Sequence, residues 1–450
     1  MELRVQRSRA NSGSMTMCPR RPSLTGMVIV VCVSAGTYAQ WQPAVPNMIV
    51  SGQDNCTRVL LRVISPAPGS SPTVGVLATL PQPGPGGCGS SNLGISARFL
   101  DVNYRDLYVA TSEGGLSPTR FWRMSPSGAV GAASLPVGLW PHFVDENANY
   151  VAATFQGVAW VRYDGTVVRT ILDQSIWFPT VVVEDVDTVD IVLFDSTYFR
   201  RVSRSGVVSG PVWPTLPGGH PLSIAFDPET GSIVSLQHIQ YGPLPSQYYL
   251  GILRLNRDGV NWAQLWRPAQ DAKDFALDRD GTLWLVGGVS LHHTSVSGSS
   301  MGTWSLPYLT LTFSGIEGWH DVFIEGQNNL RGVGTAQVGS RYHLFLSAPN
   351  EGNLPYQVAA SLALRPGIDT GYHKIHLSPD GLFAASLSNA TFFQGFSGVL
   401  DSSGSARASI EIHQIPSLQG ARIYLTFVTL HSGSPDGISA VSNVLGVSVQ

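Results

Sequence analysis

A chain of 450 residues is longer than one compact core ordinarily organises, so two domains or one large repetitive domain are expected. Charged residues make up only 13% of it, and of the 27 basic residues only Lys273 and Lys374 are lysines. No basic run is available to track a phosphate backbone, which argues against nucleic acid as a partner. The 48 glycines and 30 prolines fall between apolar runs as turn punctuation, the habit of an all-β chain.

The N-terminus reads as an export signal. Arg4, Arg7, Arg9, Arg20 and Arg21 precede the apolar stretch from Met27 to Ser34, and the small Ala39 offers a cleavage point, so residues 1–39 are expected to be removed and the mature chain to begin near Gln40. The apolar stretch is far shorter than the roughly 20 residues of a membrane-spanning helix, and no later segment is apolar enough to span in the mature chain. The expected address is secreted, periplasmic or at the cell surface. Cys18 and Cys32 leave with the signal. Cys56 and Cys88 remain, and in an oxidising compartment the expectation is a Cys56–Cys88 disulfide, with two free buried thiols as the alternative.

From residue 98 a unit recurs: an apolar strand, an acidic turn, and a second apolar strand. It is seen in "RFLDVNYRDLYVAT", "HFVDENANYVAAT", "TVVVEDVDTVDIVLF", "SIAFDPETGSIVSL", "DFALDRDGTLWLVGG" and "DVFIEGQNNLRGVGT". The turn acids Asp101, Asp145, Asp185 (or Glu184), Asp227, Asp278 and Glu325 recur at about 45 residues, the length of a propeller blade. Between these units lie hairpins turning on Gly128, Gly165, Gly206, Gly259 and Gly298, so each repeat offers four antiparallel strands. A further hairpin, "RVLLRVISPAPGSSPTVGVLATLP", precedes the first acidic unit and is the expected partner of the last one, closing the ring. The count is six blades, or seven if "SRYHLFLSAPNEG" belongs to another.

Two units, "HPLSIAFDPETGSIVSL" and "DFALDRDGTLWLVGG", resemble those of NHL-type and gluconolactonase-like six-bladed propellers. The matching positions are Pro221, Ile224, Ala225, Asp227, Pro228 and Gly231, and then Ala276, Asp278, Asp280, Gly281, Leu283 and Trp284. The resemblance implies a propeller over residues 40–350. It does not carry over an activity, because the channel glutamate and asparagines of the lactonase-like enzymes have no counterpart that can be placed.

After about residue 350 the rhythm stops. Alternating apolar positions in "SARASIEI" and "RIYLTFVTL", with Gly, Ser, Asp and Pro between, predict a C-terminal β-sandwich over 351–450. "FSGVLDSSGSARASIEI", "YLTFVTL" and the closing "ISAVSNVLGVSV" resemble a C-terminal β module of exported bacterial proteins, which implies secretion and a bacterial source.

Three strings imitate catalytic motifs. "GSSMG" fits a nucleophile elbow, but Ser300 lies in a hairpin and not in a strand-to-helix turn. "GPGGCG" has no helix after it to hold a pyrophosphate. In "HHTS", His292 and His293 alternate sides of a strand and cannot share an ion as neighbours. One constellation survives. Four residues before each turn acid stand Ala97, Pro141, Val181, Ser223, Asp274 and Asp321, at the level where inner strands of a propeller line its channel. Asp274 and Asp321, with Ser223 beside them, offer hard oxygen ligands suited to Ca²⁺, with His320 and His142 adjacent to the same ring; the alternative is that both carboxylates cap strand ends or meet channel water.

The expectation is therefore an exported all-β protein, a propeller followed by a sandwich. It would be a non-catalytic binding protein that takes a protein, carbohydrate or small-molecule ligand at the propeller face. The alternative is a Ca²⁺-dependent hydrolase or lyase of lactonase type acting in the channel. A quinone-dependent dehydrogenase would require a tryptophan repeat that the 11 tryptophans do not show.

Overall fold

The computed structural model describes the strands between residues 47 and 325 with several of the turns joining them, and is unbroken over 327–388 and 391–450. The expected signal at 1–39 and both Cys56 and Cys88 lie outside the described residues.

In sheet A, β1 (Asn47–Asp54), β2 (Thr57–Ile64) and β3 (Thr73–Pro81) run outward in sequence. Sheet B holds β4 (Arg98–Asn103), β5 (Asp106–Thr111), β6 (Pro118–Met124) and β7 (Val130–Val137). Sheet C holds β8 (Trp140–Val144), β9 (Tyr150–Thr154), β10 (Gly157–Val161) and β11 (Val167–Leu172). Sheet D has β12 (Pro179–Asp185), β13 (Asp190–Asp195) and β14 (Tyr198–Val202), and sheet E has β15 (Pro221–Asp227), β16 (Ser232–Gln240), β17 (Tyr248–Leu255) and β18 (Trp262–Trp266). Sheet F has β19 (Ala272–Leu277), β20 (Thr282–Gly287), β21 (Ser290–Ser295) and β22 (Ser300–Ser305). β23 (Trp319–Glu325) then returns to sheet A as its innermost strand, pairing Ile324 with Met48 and Val322 with Val50. The innermost strands β4, β8, β12, β15, β19 and β23 are neighbours in that order, and β23 neighbours β4, so the six sheets close into a ring.

The strands of sheets D, E and F read as unbroken apolar runs because these sheets are packed on both faces. In β20, Leu283 and Leu285 point to sheet E, against Leu236, Leu250 and Ile252, while Trp284 and Val286 point to sheet A, against Met48, Val63 and Ile324. The same alternation puts Val192 and Phe194 of β13 against Ile233 and Leu253 of sheet E, and Ile191 and Leu193 against Val151 and Val158 of sheet C. Each such side chain, fully buried, contributes about 1.5–3 kcal/mol. The cohesion of the ring therefore resides in the wedges between sheets.

One expectation is corrected by the strand pairing. The last acidic unit does not form a hairpin: its second half, β24 (Asn329–Val333), pairs with β25 (Arg341–Ser347), and β1 takes the place beside β23. Met48 fills the wedge between sheets F and A, whereas Gly332 of β24 makes room for the Tyr342 ring inside the next domain. β25 lies in "SRYHLFLSAPNEG" and pairs with β31 in sheet G, so the chain changes sheets between residues 325 and 329.

The C-terminal domain is a two-sheet sandwich. After β26 (Pro355–Ser361) come β27 (Ile368–Asp369), β28 (Lys374–Ile375), the short helix α1 (Gly381–Leu387), β29 (Phe393–Gln394), β30 (Ser397–Val399), β31 (Ser405–Glu411), β32 (Arg422–Leu430), β33 (Ile438–Val441) and β34 (Leu445–Ser448). Sheet G has the order β24-β25-β31-β29; sheet H has β30-β26-β32-β33, with β34 also on β32. Leu344, Leu346 and Ile410 of G meet Val358, Leu425 and Phe427 of H in one core. Asn443 completes the edge of sheet G: its amide oxygen accepts the Leu330 N–H at 2.6 Å and its Nδ2 donates to the Leu330 carbonyl at 3.1 Å. A side chain there imitates a strand.

The sandwich rests on two of the acidic turns. Arg365 Nη1 donates to the Pro228 carbonyl at 3.0 Å, and Lys374 is paired with Glu229, so the sheet E turn is held at two points. Arg279 in the sheet F turn donates to the Val441 carbonyl at 3.2 Å, and its own carbonyl lies 3.4 Å from His376 Nε2.

Candidate functional site at the bulged ends of the inner strands

Each inner strand runs from the end of the ring away from the sandwich toward its acidic turn. The turns are structural. Asp278 N–H donates to the Thr282 carbonyl at 2.8 Å, and Gly281, at φ +80°, returns its N–H to the Asp278 carbonyl at 3.0 Å. The Asp278 carboxylate accepts from the Arg279 N–H, from Trp284 Nε1 and from Gln327 Nε2, at 2.7, 3.3 and 2.8 Å. Asp227 likewise accepts from the Glu229 N–H and the Thr230 hydroxyl, and Asp185 forms a 2.5 Å ion pair with Arg201. These carboxylates are spent on turn geometry and on fixing neighbouring strands. The side chains of Asp101, Asp145 and Glu325 lie outside the described residues.

At the other end, five of the six inner strands share an irregularity. The pairing skips one residue at His142 in β8, Thr180 in β12, Leu222 in β15, Lys273 in β19 and His320 in β23. A bulge of this kind leaves one residue without a partner and re-aims the side chains around it. The residues that follow the skip are Phe143, Val181, Ser223, Asp274 and Asp321. Three of the residues singled out by sequence thus occupy one register on three successive inner strands. In the second repeat the equivalent is Phe143, not Pro141, because the chain reaches Asp145 two residues sooner after the skip; counting back from the turn acid misplaces it.

Ser223 is buried opposite Leu236 and lies on the sheet F side of its strand, next in the ring to β19. Asp274 is half-buried opposite Val286, on the side that faces sheet A and β23. Asp321 is paired opposite Ser51, and its side chain lies outside the described residues. Four residues separate Ser223 from Asp227, and the same interval separates Asp274 from Asp278, so this register stands about 13 Å along the strand from the turns that carry the sandwich. Among the described residues no three His, Cys, Asp or Glu side chains come together as a metal-binding group.

Sequence reasoning missed a buried polar pair at this level. On the sheet D side of β16, Ser235 and Gln237 interrupt the row begun by Ile233 and ended by Ile239, and Gln237 Nε2 donates to Ser235 Oγ at 2.9 Å. Gln237 sits opposite Pro221, beside the bulge. The signal was present in "SIVSLQHIQ", where two polar residues occupy alternate positions otherwise filled by isoleucine. Of the imitation motifs, "GPGGCG" lies outside the described residues. Ser300 opens the exposed strand β22, His293 stacks on Trp284 at 4.0 Å and lies 2.8 Å from Thr282 Oγ1, and His292 lies between Ser290 and Thr303.

No protein-family model and no curated protein sequence matches the chain. Among solved structures it is similar to a chain of a nidogen/laminin complex at 11% identity and a TM-score of 0.39, over 61% of this chain and 97% of that one. It is also similar to a protein of unknown function from Bacteroides caccae at 12% identity and a TM-score of 0.38, over 61% and 98%. A gluconolactonase from Xanthomonas campestris matches at 14% identity and a TM-score of 0.38, over 70% and 96%. No described helix is long and apolar enough to cross a membrane.

Proposed function

We propose that this is an exported, non-catalytic binding protein whose six ring sheets are the six blades of a propeller, ending at Glu325, with a sandwich from Gln327 onward serving as an attachment or assembly module. The ligand, a protein, carbohydrate or small molecule, is taken at the bulged ends of the inner strands. One observation carries the reading: Ser223, Asp274 and Asp321 share a register on three neighbouring inner strands, at the end of the ring that the sandwich does not touch at sheets E and F. Export is supported by the Arg-led apolar stretch before Ala39.

The same register supports a second reading, a Ca²⁺-dependent hydrolase or lyase of lactonase type, since carboxylate and hydroxyl oxygens are the ligands such an ion takes. Calorimetry of the mature chain with CaCl₂, repeated on Asp274→Asn and Asp321→Asn, separates them when combined with a lactone-hydrolysis assay. Ligand capture on a glycan and protein array that both substitutions weaken, without lactone turnover, supports the binding reading. Ca²⁺-dependent turnover that both substitutions abolish replaces it with the enzyme. An array signal indifferent to both substitutions removes this register as the site.

A further inference from the structure

The ring closes at one seam, where β1 from the start of the mature chain pairs with β23, so that Met48 meets Ile324 across 276 positions of sequence. Joining segments so distant costs chain entropy that local hairpins do not pay. β23 has no hairpin partner of its own, because the strand that follows it leaves for the sandwich.

The exit from β23 is fixed at three successive points. Gln327 donates to Asp278 in the sheet F turn at 2.8 Å. Asn328, only 3% exposed, donates to Glu351 Oε2 at 2.8 Å and to Thr429 Oγ1 at 3.2 Å, and Ser439 donates to the other oxygen of the same carboxylate at 2.6 Å. Leu330 is held through both backbone groups by Asn443. The sandwich that receives the Asn328 and Leu330 bonds is itself bound to the turns of sheets E and F through Arg365, Lys374, His376 and the Val441 carbonyl.

From this geometry we infer that the sandwich is a closure clamp: docked on sheets E and F, it holds β23 in place as a fixed template on which β1 seals the ring. The clamp acts within the chain and does not depend on any ligand at the bulged ends.

Hydrogen–deuterium exchange on the full chain tests it, because local opening is read strand by strand. In the triple variant Arg365→Ala, Lys374→Ala, His376→Ala, the β1 and β23 amides are expected to exchange at least about tenfold faster, with the β9, β10 and β32 amides unchanged. Unchanged exchange in β1 and β23, while residues 228–231 lose protection, overturns the clamp. If the triple variant fails to fold, Glu229→Lys is compared with Glu229→Lys combined with Lys374→Glu. Faster exchange at β1 and β23 in the first, restored in the second, supports the clamp; no effect on those strands in either overturns it.

Discussion

Gly231 closes the acidic turn of sheet E at φ +66°, and a Cβ added there would stand 2.6–2.8 Å from the Arg365 guanidinium that reaches across from the sandwich. Gly231→Ala therefore combines two costs. Holding alanine in the left-handed region costs about 1–2 kcal/mol. Displacing Arg365 removes its bond to the Pro228 carbonyl, which for a solvent-exposed charged donor is worth about 1 kcal/mol. The expected total is about 2–3 kcal/mol by equilibrium urea denaturation of the full chain. The two parts separate in a double-mutant cycle with Arg365→Ala: in that background Gly231→Ala should lose only its backbone part, leaving a coupling of about 1 kcal/mol. A cost of equal size in both backgrounds would refute the contact as the reason for glycine at this position.

Asp278→Ala removes the acceptor of three donors, and leaves Trp284 Nε1 without its carboxylate partner, so a loss of about 2–3 kcal/mol and an altered tryptophan emission are expected. Asn443→Ala strips both backbone bonds from Leu330 and should cost about 2 kcal/mol, with exchange rising first in β24. His376 is held below the ordinary histidine value of 6.5, chiefly by desolvation in the seam and further by Lys374, against the opposing pull of the Arg279 carbonyl, Asp227 and Glu229. It stays neutral when docked, so the undocked or unfolded state gains protons first. Docking stability should be fully present above pH 6.5 and fall as the pH drops through and below that value, and His376→Gln should flatten this slope in pH-dependent denaturation.

What the sequence disclosed follows from which forces are local. Five of the six acidic hairpins, from β4–β5 to β19–β20, pair as the repeats imply, because turn acids and apolar alternation act between neighbours in the chain. The sixth does not, because whether β1 or β24 lies beside β23 is decided by a wedge built from Met48, Trp284 and Ile324, remote in sequence, against the competing β24–β25 hairpin in which Tyr342 packs on Gly332. The shared register of Ser223, Asp274 and Asp321 could be read by counting back from the turns. The bulges could not, since an extra residue in a strand leaves no mark on composition, and the shorter run from the bulge to Asp145 in β8 made Phe143, not Pro141, the equivalent position. Nor did anything mark Arg365, Lys374 and His376 as the residues that meet the turns; their partners lie 97 to 145 positions away.

The double-sided packing of the ring sheets has a consequence for how this protein can change. A substitution on either face of a strand such as β20 disturbs one of two wedges, against sheet E or against sheet A, so the barrel of each blade has little freedom to vary. The bulged register of Ser223 and Asp274 stands about 13 Å along the strand from the turns that carry the sandwich, and Lys273, skipped by the pairing there, is exposed. Side chains can therefore vary at a position such as Lys273 while the strand beyond it stays constrained to a near-uniform apolar run.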